Sequence, residues 1–83
     1  MSFMLKIDKN AQSFLDKLPQ DISLRIINKL EKIKDNPFHF LEHYEGKYYK
    51  LRIGDYRVLI DIDSEKKILW VRIMDKRGRI YKR

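Results

Sequence analysis

The sequence predicts an α+β domain, an antiparallel sheet in the element order β-α-α-β-β-β with an N-terminal helix hairpin packed on one face. Three observations predict it. Apolar residues recur at helical spacing in two successive segments before Pro37, they alternate with period two in three runs after Gly46, and short turn sequences separate those runs. Helices gathered early and strands gathered late make one sheet with helices on one side, not a series of alternating βα units.

Taken in order, Phe3, Leu5 and Ile7 alternate with Met4 and Lys6, the pattern of a short half-buried strand. Asp8 comes next at an N-cap position, and Ala11, Phe14, Leu15 and Leu18 then mark a first helix that stops before Pro19. From residue 20 to 34, Ile22, Ile26, Leu30 and Ile33 form one apolar stripe that Leu24 and Ile27 widen. Asp35-Asn36-Pro37 ends this second helix, because a residue before proline avoids helical dihedrals. Residues 38–46 have no clear period and read as a loop with some local turn. Three strands succeed it over 47–53, 56–62 and 67–74, joined by Gly54-Asp55 and by Asp63-Ser64-Glu65-Lys66. Residues 1–83 are expected to form one domain.

Composition narrows the function. With no cysteine there is no disulfide framework, thiolate nucleophile or sulfur-based zinc site, so stability rests on the core. No run approaches the length of a membrane span and the first residues lack a signal-peptide layout, so a cytoplasmic protein with no membrane partner is expected. The net charge of +7 is unevenly spread: residues 1–45 carry seven basic and seven acidic groups, while residues 46–83 carry twelve against five. A positive field confined to one half of a small domain suits a polyanion, nucleic acid above all.

Strand parity turns that charge into a surface. If Gly54-Asp55 is a two-residue hairpin loop, Ile53 faces Tyr56, Arg52 faces Arg57, Leu51 faces Val58 and Lys50 faces Leu59. One side then carries Tyr49, Leu51, Ile53, Val58, Ile60 and Ile62, and the other Lys50, Arg52 and Arg57. Two arginines directly opposite repel one another, which an anion between them would relieve. Applied to the last strand, parity sends Leu69, Val71 and Ile73 to the apolar side and Trp70, Arg72 and Met74 to the cationic side. Cations interleaved with an aromatic ring suit RNA phosphates and stacked bases.

Other chemistry has weaker support. His39 and His43 stand four apart, but Pro37 disturbs a regular helix there and no third ligand is evident, so no metal site is expected. The glycines Gly46, Gly54 and Gly78 make no phosphate loop, and Ser13, Ser23 and Ser64 lie in no nucleophile motif. Asp61 and Asp63 read as a solvated turn.

The segments Tyr49-Lys50-Leu51-Arg52, Asp55-Tyr56-Arg57-Val58-Leu59-Ile60 and Lys76-Arg77-Gly78-Arg79-Ile80-Tyr81, in that order, resemble the RelE/ParE superfamily of prokaryotic toxins over essentially the whole chain. The likeness is greater to the RelE branch, although Arg52 stands where a lysine is common. This resemblance implies an endoribonuclease without cofactor that cuts messenger RNA in the ribosomal decoding site, the A site of the 30S subunit. Attack of a ribose 2′-hydroxyl on its own 3′ phosphate would need no metal. By position, the resemblance implies functional roles for Lys50, Arg52, Arg57, Arg77 and Tyr81, with Arg79 an added phosphate contact. Lys50, Arg57, Arg77 and Tyr81 would be catalytic, and Arg52 and Arg79 would bind RNA together with Arg72 and Trp70 of the cationic face; which of Lys50 and Tyr81 acts as base stays open. A RelB-like antitoxin is the implied protein partner. A ParE-like inhibitor of DNA gyrase and a non-catalytic RNA-binding module are the alternative readings.

Overall fold

Spaced at i, i+4 and i+7, Ile26, Leu30 and Ile33 lie on one face of a helix, and in the computed structural model, which describes residues 2–76, all three are fully buried. They belong to α2 (Gln20–Ile33). Its partner is α1 (Lys9–Asp16), which buries Ala11 and Leu15. Pro19, extended at φ −56° and ψ 147°, is the N-cap of α2, and Pro37 opens a one-turn helix α3 (Pro37–Phe40). Each proline closes the segment before it and opens the helix after it, because it fixes φ and donates no hydrogen bond. None of the described helices is long and apolar enough to cross a membrane.

The strands are β1 (Met4–Ile7), β2 (Glu42–Glu45), β3 (Tyr48–Ile53), β4 (Tyr56–Asp63) and β5 (Ile68–Lys76), in the spatial order β1-β5-β4-β3-β2. The fold class is the expected α+β, with the helix hairpin on one face, and β3, β4 and β5 form the antiparallel meander. The β3–β4 register is the predicted one, with Lys50 beside Leu59, Leu51 beside Val58 and Arg52 beside Arg57. Gly54 starts the hairpin loop at φ 59°, a left-handed conformation suited to glycine in a type II′ turn. Helix-side residues Leu51, Ile53, Val58, Ile60, Leu69 and Val71 join Ile26, Leu30 and Ile33 in one core.

Three features differ from the pattern expected of the sequence. The sheet is not wholly antiparallel: β1 pairs with β5 in parallel, Leu5 beside Leu69 and Ile7 beside Val71. Alternation reveals which face a strand buries, not the direction of its neighbour. Residues 38–46, expected as a loop, hold most of α3 and the edge strand β2, all of whose residues are exposed, so no hydrophobic period marks that strand. The third difference is a bulge in β5.

Ile60 pairs with Val71, but Leu59 pairs with Ile73, which leaves Arg72 as the extra residue. Parity reverses beyond it. Met74, expected on the cationic side, is buried at 5% exposure, and Ile73, expected in the core, is 43% exposed. Accordingly Met74→Ala should cost about 2–5 kcal/mol in urea unfolding, as for other truncations in a packed core. Ile73→Ala should cost less than about 1 kcal/mol; the opposite ranking would reject the bulged register.

Candidate functional site

The sheet face turned away from the helices has two halves. At one end, Lys50 of β3 lies beside Leu59 of β4, and Arg57 lies across from Arg52. Leu59 is 6% exposed despite facing away from the helix-side core, so this half has an apolar floor, with Ile73 on its other flank. Tyr44 on β2 gathers the two cations: its ring centroid is 5.5 Å from Lys50 Nζ and 5.6 Å from Arg57 Cζ. Arg57 Nη1 also donates to Tyr44 Oη at 3.4 Å.

The bulge places Asp75 directly across from Arg57. Arg57 Nε donates to Asp75 Oδ1 at 3.2 Å and Nη2 donates to Oδ2 at 2.9 Å, a two-pronged pairing that matches fork to carboxylate. The hydrogen bond from Arg57 to Asp75 is the main cause that raises the Arg57 pKa, against the opposing effect of burial; charge interactions with Asp75 and Tyr44 add to the rise. A raised arginine pKa contributes stability that is complete below the ordinary arginine value and lost only as pH climbs through the higher one. Arg57 is therefore a permanent cation. The repulsion expected between Arg52 and Arg57 is eased by this internal carboxylate.

At the other end, Arg72 Nη1 donates to both oxygens of Asp8 at 3.0 and 3.1 Å, and Nη2 is 3.5 Å from Asp61 Oδ2. Asp8 occupies the N-cap of α1 as predicted, but its side chain caps nothing and serves Arg72 instead. The hydrogen bond from Arg72 to Asp8 is the main cause of a raised Arg72 pKa. Lys47 Nζ approaches Asp61 Oδ2 at 3.5 Å. Trp70, beside Asp61, has Arg72 Cζ 4.8 Å and Lys6 Nζ 5.4 Å from its ring centroid. Of the two aspartates read as a solvated turn, Asp63 does make the turn, accepting a hydrogen bond from the Lys66 N–H at 3.0 Å. Asp61 does not: β4 continues through it, and its side chain is mostly buried between cations.

Of the residues named from sequence, Lys50 and Arg57 come together, while Arg72 and Trp70 lie toward the other end of the face. Arg52 is exposed and borders the helix layer. Arg77, Arg79 and Tyr81 lie outside the described residues. His39 belongs to α3 and His43 to β2, where His43 Nε2 is 2.7 Å from the Gly46 carbonyl, so the interval of four does not put both rings on one helix face. Tyr44 and Asp75 were missed. Tyr44 sits in a stretch without period, and Asp75 reaches Arg57 only because of a bulge that no residue in β5 announces.

A family model described as ParE toxin of the type II toxin–antitoxin system parDE matches residues 5–80. Among solved structures, the chain resembles one in a RelBE toxin–antitoxin complex of Mycobacterium tuberculosis, at 21% identity and TM-score 0.84, covering 93% of this chain and all of that one. It resembles one in the archaeal RelE–RelB complex of Pyrococcus horikoshii at 25% identity and TM-score 0.79, covering 95% and 99% of the two chains. For the intact Escherichia coli RelBE complex the values are 20% and 0.77, with 90% and 96% covered. No match was found among curated protein sequences.

The Arg57–Asp75 pair keeps side-chain exposures of 17% and 33%. Its coupling in an Arg57→Ala/Asp75→Ala double-mutant cycle should therefore be no more than about 1 kcal/mol by urea unfolding, and should shrink in high salt. A coupling that salt leaves unchanged would show the pair to be screened from solvent.

Proposed function

The chain belongs to the ParE toxin family of type II toxin–antitoxin systems, and we propose that this toxin is a ribosome-dependent endoribonuclease of the RelE kind that cuts messenger RNA in the decoding site and so stops translation. The observation that carries this reading is the meeting of Lys50 and Arg57 around the Tyr44 ring, beside the buried Leu59. Two cations on a low-polarity floor suit a phosphate that gains charge during reaction.

In this reading the ribose 2′-oxygen attacks its own 3′ phosphorus, the bond to the 5′-oxygen breaks, and a cyclic phosphate and a free 5′-hydroxyl result. The step requires a base near the 2′-oxygen, positive charge on the phosphorane and a proton for the leaving oxygen. Lys50 takes part in removing the proton. Arg57 holds the phosphate with the fork that Asp75 occupies in the free protein, so substrate exchanges one two-pronged anion for another. Arg77 adds a second phosphate contact, and Tyr81 stacks on a base or shares in proton transfer. Arg52, Arg79, Arg72 and Trp70 hold RNA on either side. Side chains alone supply this chemistry, without metal or cofactor, and the ribosome would supply the orientation that so sparse a site lacks.

The partner is a RelB-like antitoxin, by analogy with the solved complexes in which RelE-type toxins sit with RelB. Acidic groups on an extended or helical segment would cover the mixed basic and apolar face. A second reading, a ParE-like inhibitor of DNA gyrase, is favoured by the name of the matching family model.

One experiment separates the readings: cleavage sites are mapped on messenger RNA in translating ribosomes, beside a gyrase assay, for wild type, Arg57→Ala and Tyr81→Phe. The expected result is cleavage by wild type and a loss of roughly 100-fold or more for Arg57→Ala, as for removal of one charge-stabilising donor elsewhere. Cleavage that survives both substitutions rejects the site. Gyrase-linked DNA breaks without RNA cuts reject the function, and RNA binding without cuts reduces the protein to a binding module. Asp75→Asn, which leaves the Arg57 fork less tightly held, should strengthen RNA binding several-fold in a fluorescence titration; a weaker complex would show that Asp75 orients Arg57 for its phosphate.

A further inference from the structure

On the helix side of Arg52, a groove of about 410 Å³ runs between α2 and the β3–β4 turn. Arg25, Lys29 and Lys32 of α2 line one wall together with Asn28, and Arg52 stands on the other. Intervals of four and three put the α2 cations on one helix face, spread over about 10 Å of axis. Arg25 is laid against the turn: a side chain at Gly54 would bring its Cβ to 3.3 Å from Arg25 Nη1, and Gly54 has none. Lys29 Nζ is steadied 5.4 Å over the Phe40 ring.

This groove differs from the sheet face in one decisive respect. Among the described residues, Arg57 and Arg72 of the sheet face are both neutralised by carboxylates and Lys50 is left without an ion pair, whereas none of Arg25, Lys29, Lys32 and Arg52 forms an ion pair and no carboxylate lines the groove. Four cations held close without an internal anion repel each other and concentrate positive potential in a concave surface. Their repulsion is relieved by an external anion with several charges in a row.

We infer that this groove binds the phosphodiester backbone of RNA, at a site that meets the sheet face at Arg52 and is otherwise distinct from it. A protein segment needs apolar anchors at the centre of its contact, and among the described residues the one apolar side chain in the lining, Ile53, is itself 6% exposed. Donors without acceptor side chains other than Asn28, along an open track, suit phosphates of any sequence. The inference goes beyond the proposed cleavage, because the groove holds RNA through charge and needs no reaction at the sheet face. Together the two surfaces let the toxin grip RNA on both layers of the domain.

The test is a fluorescence anisotropy titration of a labelled single-stranded RNA with the full chain, repeated over a range of salt. The groove variant combines Arg25→Gln, Lys29→Gln and Lys32→Gln, and a charge-matched control combines Lys9→Gln, Lys17→Gln and Lys66→Gln at exposed sites elsewhere. The slope of log affinity against log salt should fall by roughly 2 for the groove variant, about 0.7 for each lost phosphate contact, and by less than half as much for the control. Equal slopes for the two variants would overturn the site, and so would loss of binding to labelled polyglutamate with RNA binding intact. Should the triple variant not fold by circular dichroism, Lys32→Gln alone should lower the slope by about 0.7. Because the readout is binding, a wild type that cuts no messenger RNA would reject the proposed function and leave this measurement standing.

Discussion

The arrangement of the sheet face is set by one extra residue in β5. With Arg72 left out of the ladder, every residue after it changes sides: Met74 turns into the core, Ile73 turns out beside Leu59, and Asp75 comes opposite Arg57. An unbulged strand would set Met74 against Arg57 and leave that arginine without its carboxylate. The bulged residue itself reaches Asp8 and Asp61, which ties the start of α1 to the middle of the sheet. Core packing and site electrostatics are thus settled by the same local irregularity.

The charge distribution is a consequence of that geometry. Along the chain the excess of cations lies after residue 45, yet the folded protein commits three of them, Lys47, Arg57 and Arg72, to internal carboxylates. Three cations from the neutral half, Arg25, Lys29 and Lys32, come to line a groove without an ion pair among the described residues. Net charge per segment counts groups; the field depends on which groups lie side by side. Arg57 and Arg72 of the sheet face are held by carboxylates, and the cations lining the groove are not, among the described residues.

Both surfaces rest on the same rigid support. The α2 stripe packs Ile26, Leu30 and Ile33 against the inner side of β3, β4 and β5, so the outward face of α2 and the outward face of the sheet are fixed relative to one another. The Gly54 turn is where they meet, with Arg25 lying against it and Arg52 just before it. A cationic pair on strands and a cationic row on a helix are each held by backbone hydrogen bonds, which locates charge better than a loop does.

By itself the sequence determined the α+β class, the helix hairpin, the two prolines that bound its second helix, and the β3–β4 register that sets Lys50 beside Leu59 and Arg52 across from Arg57. These rest on periods of 3.6 and 2 and on a glycine-led turn, all interactions between residues near in the chain. Tertiary structure alone decided the parallel seating of β1, the edge strand β2 that brings Tyr44 to Lys50 and Arg57, the bulge that supplies Asp75, and the groove that joins α2 to Arg52. Each of these depends on partners far apart in sequence, and an alternation of apolar and polar residues carries no record of direction, of an unpaired residue, or of which charges become neighbours.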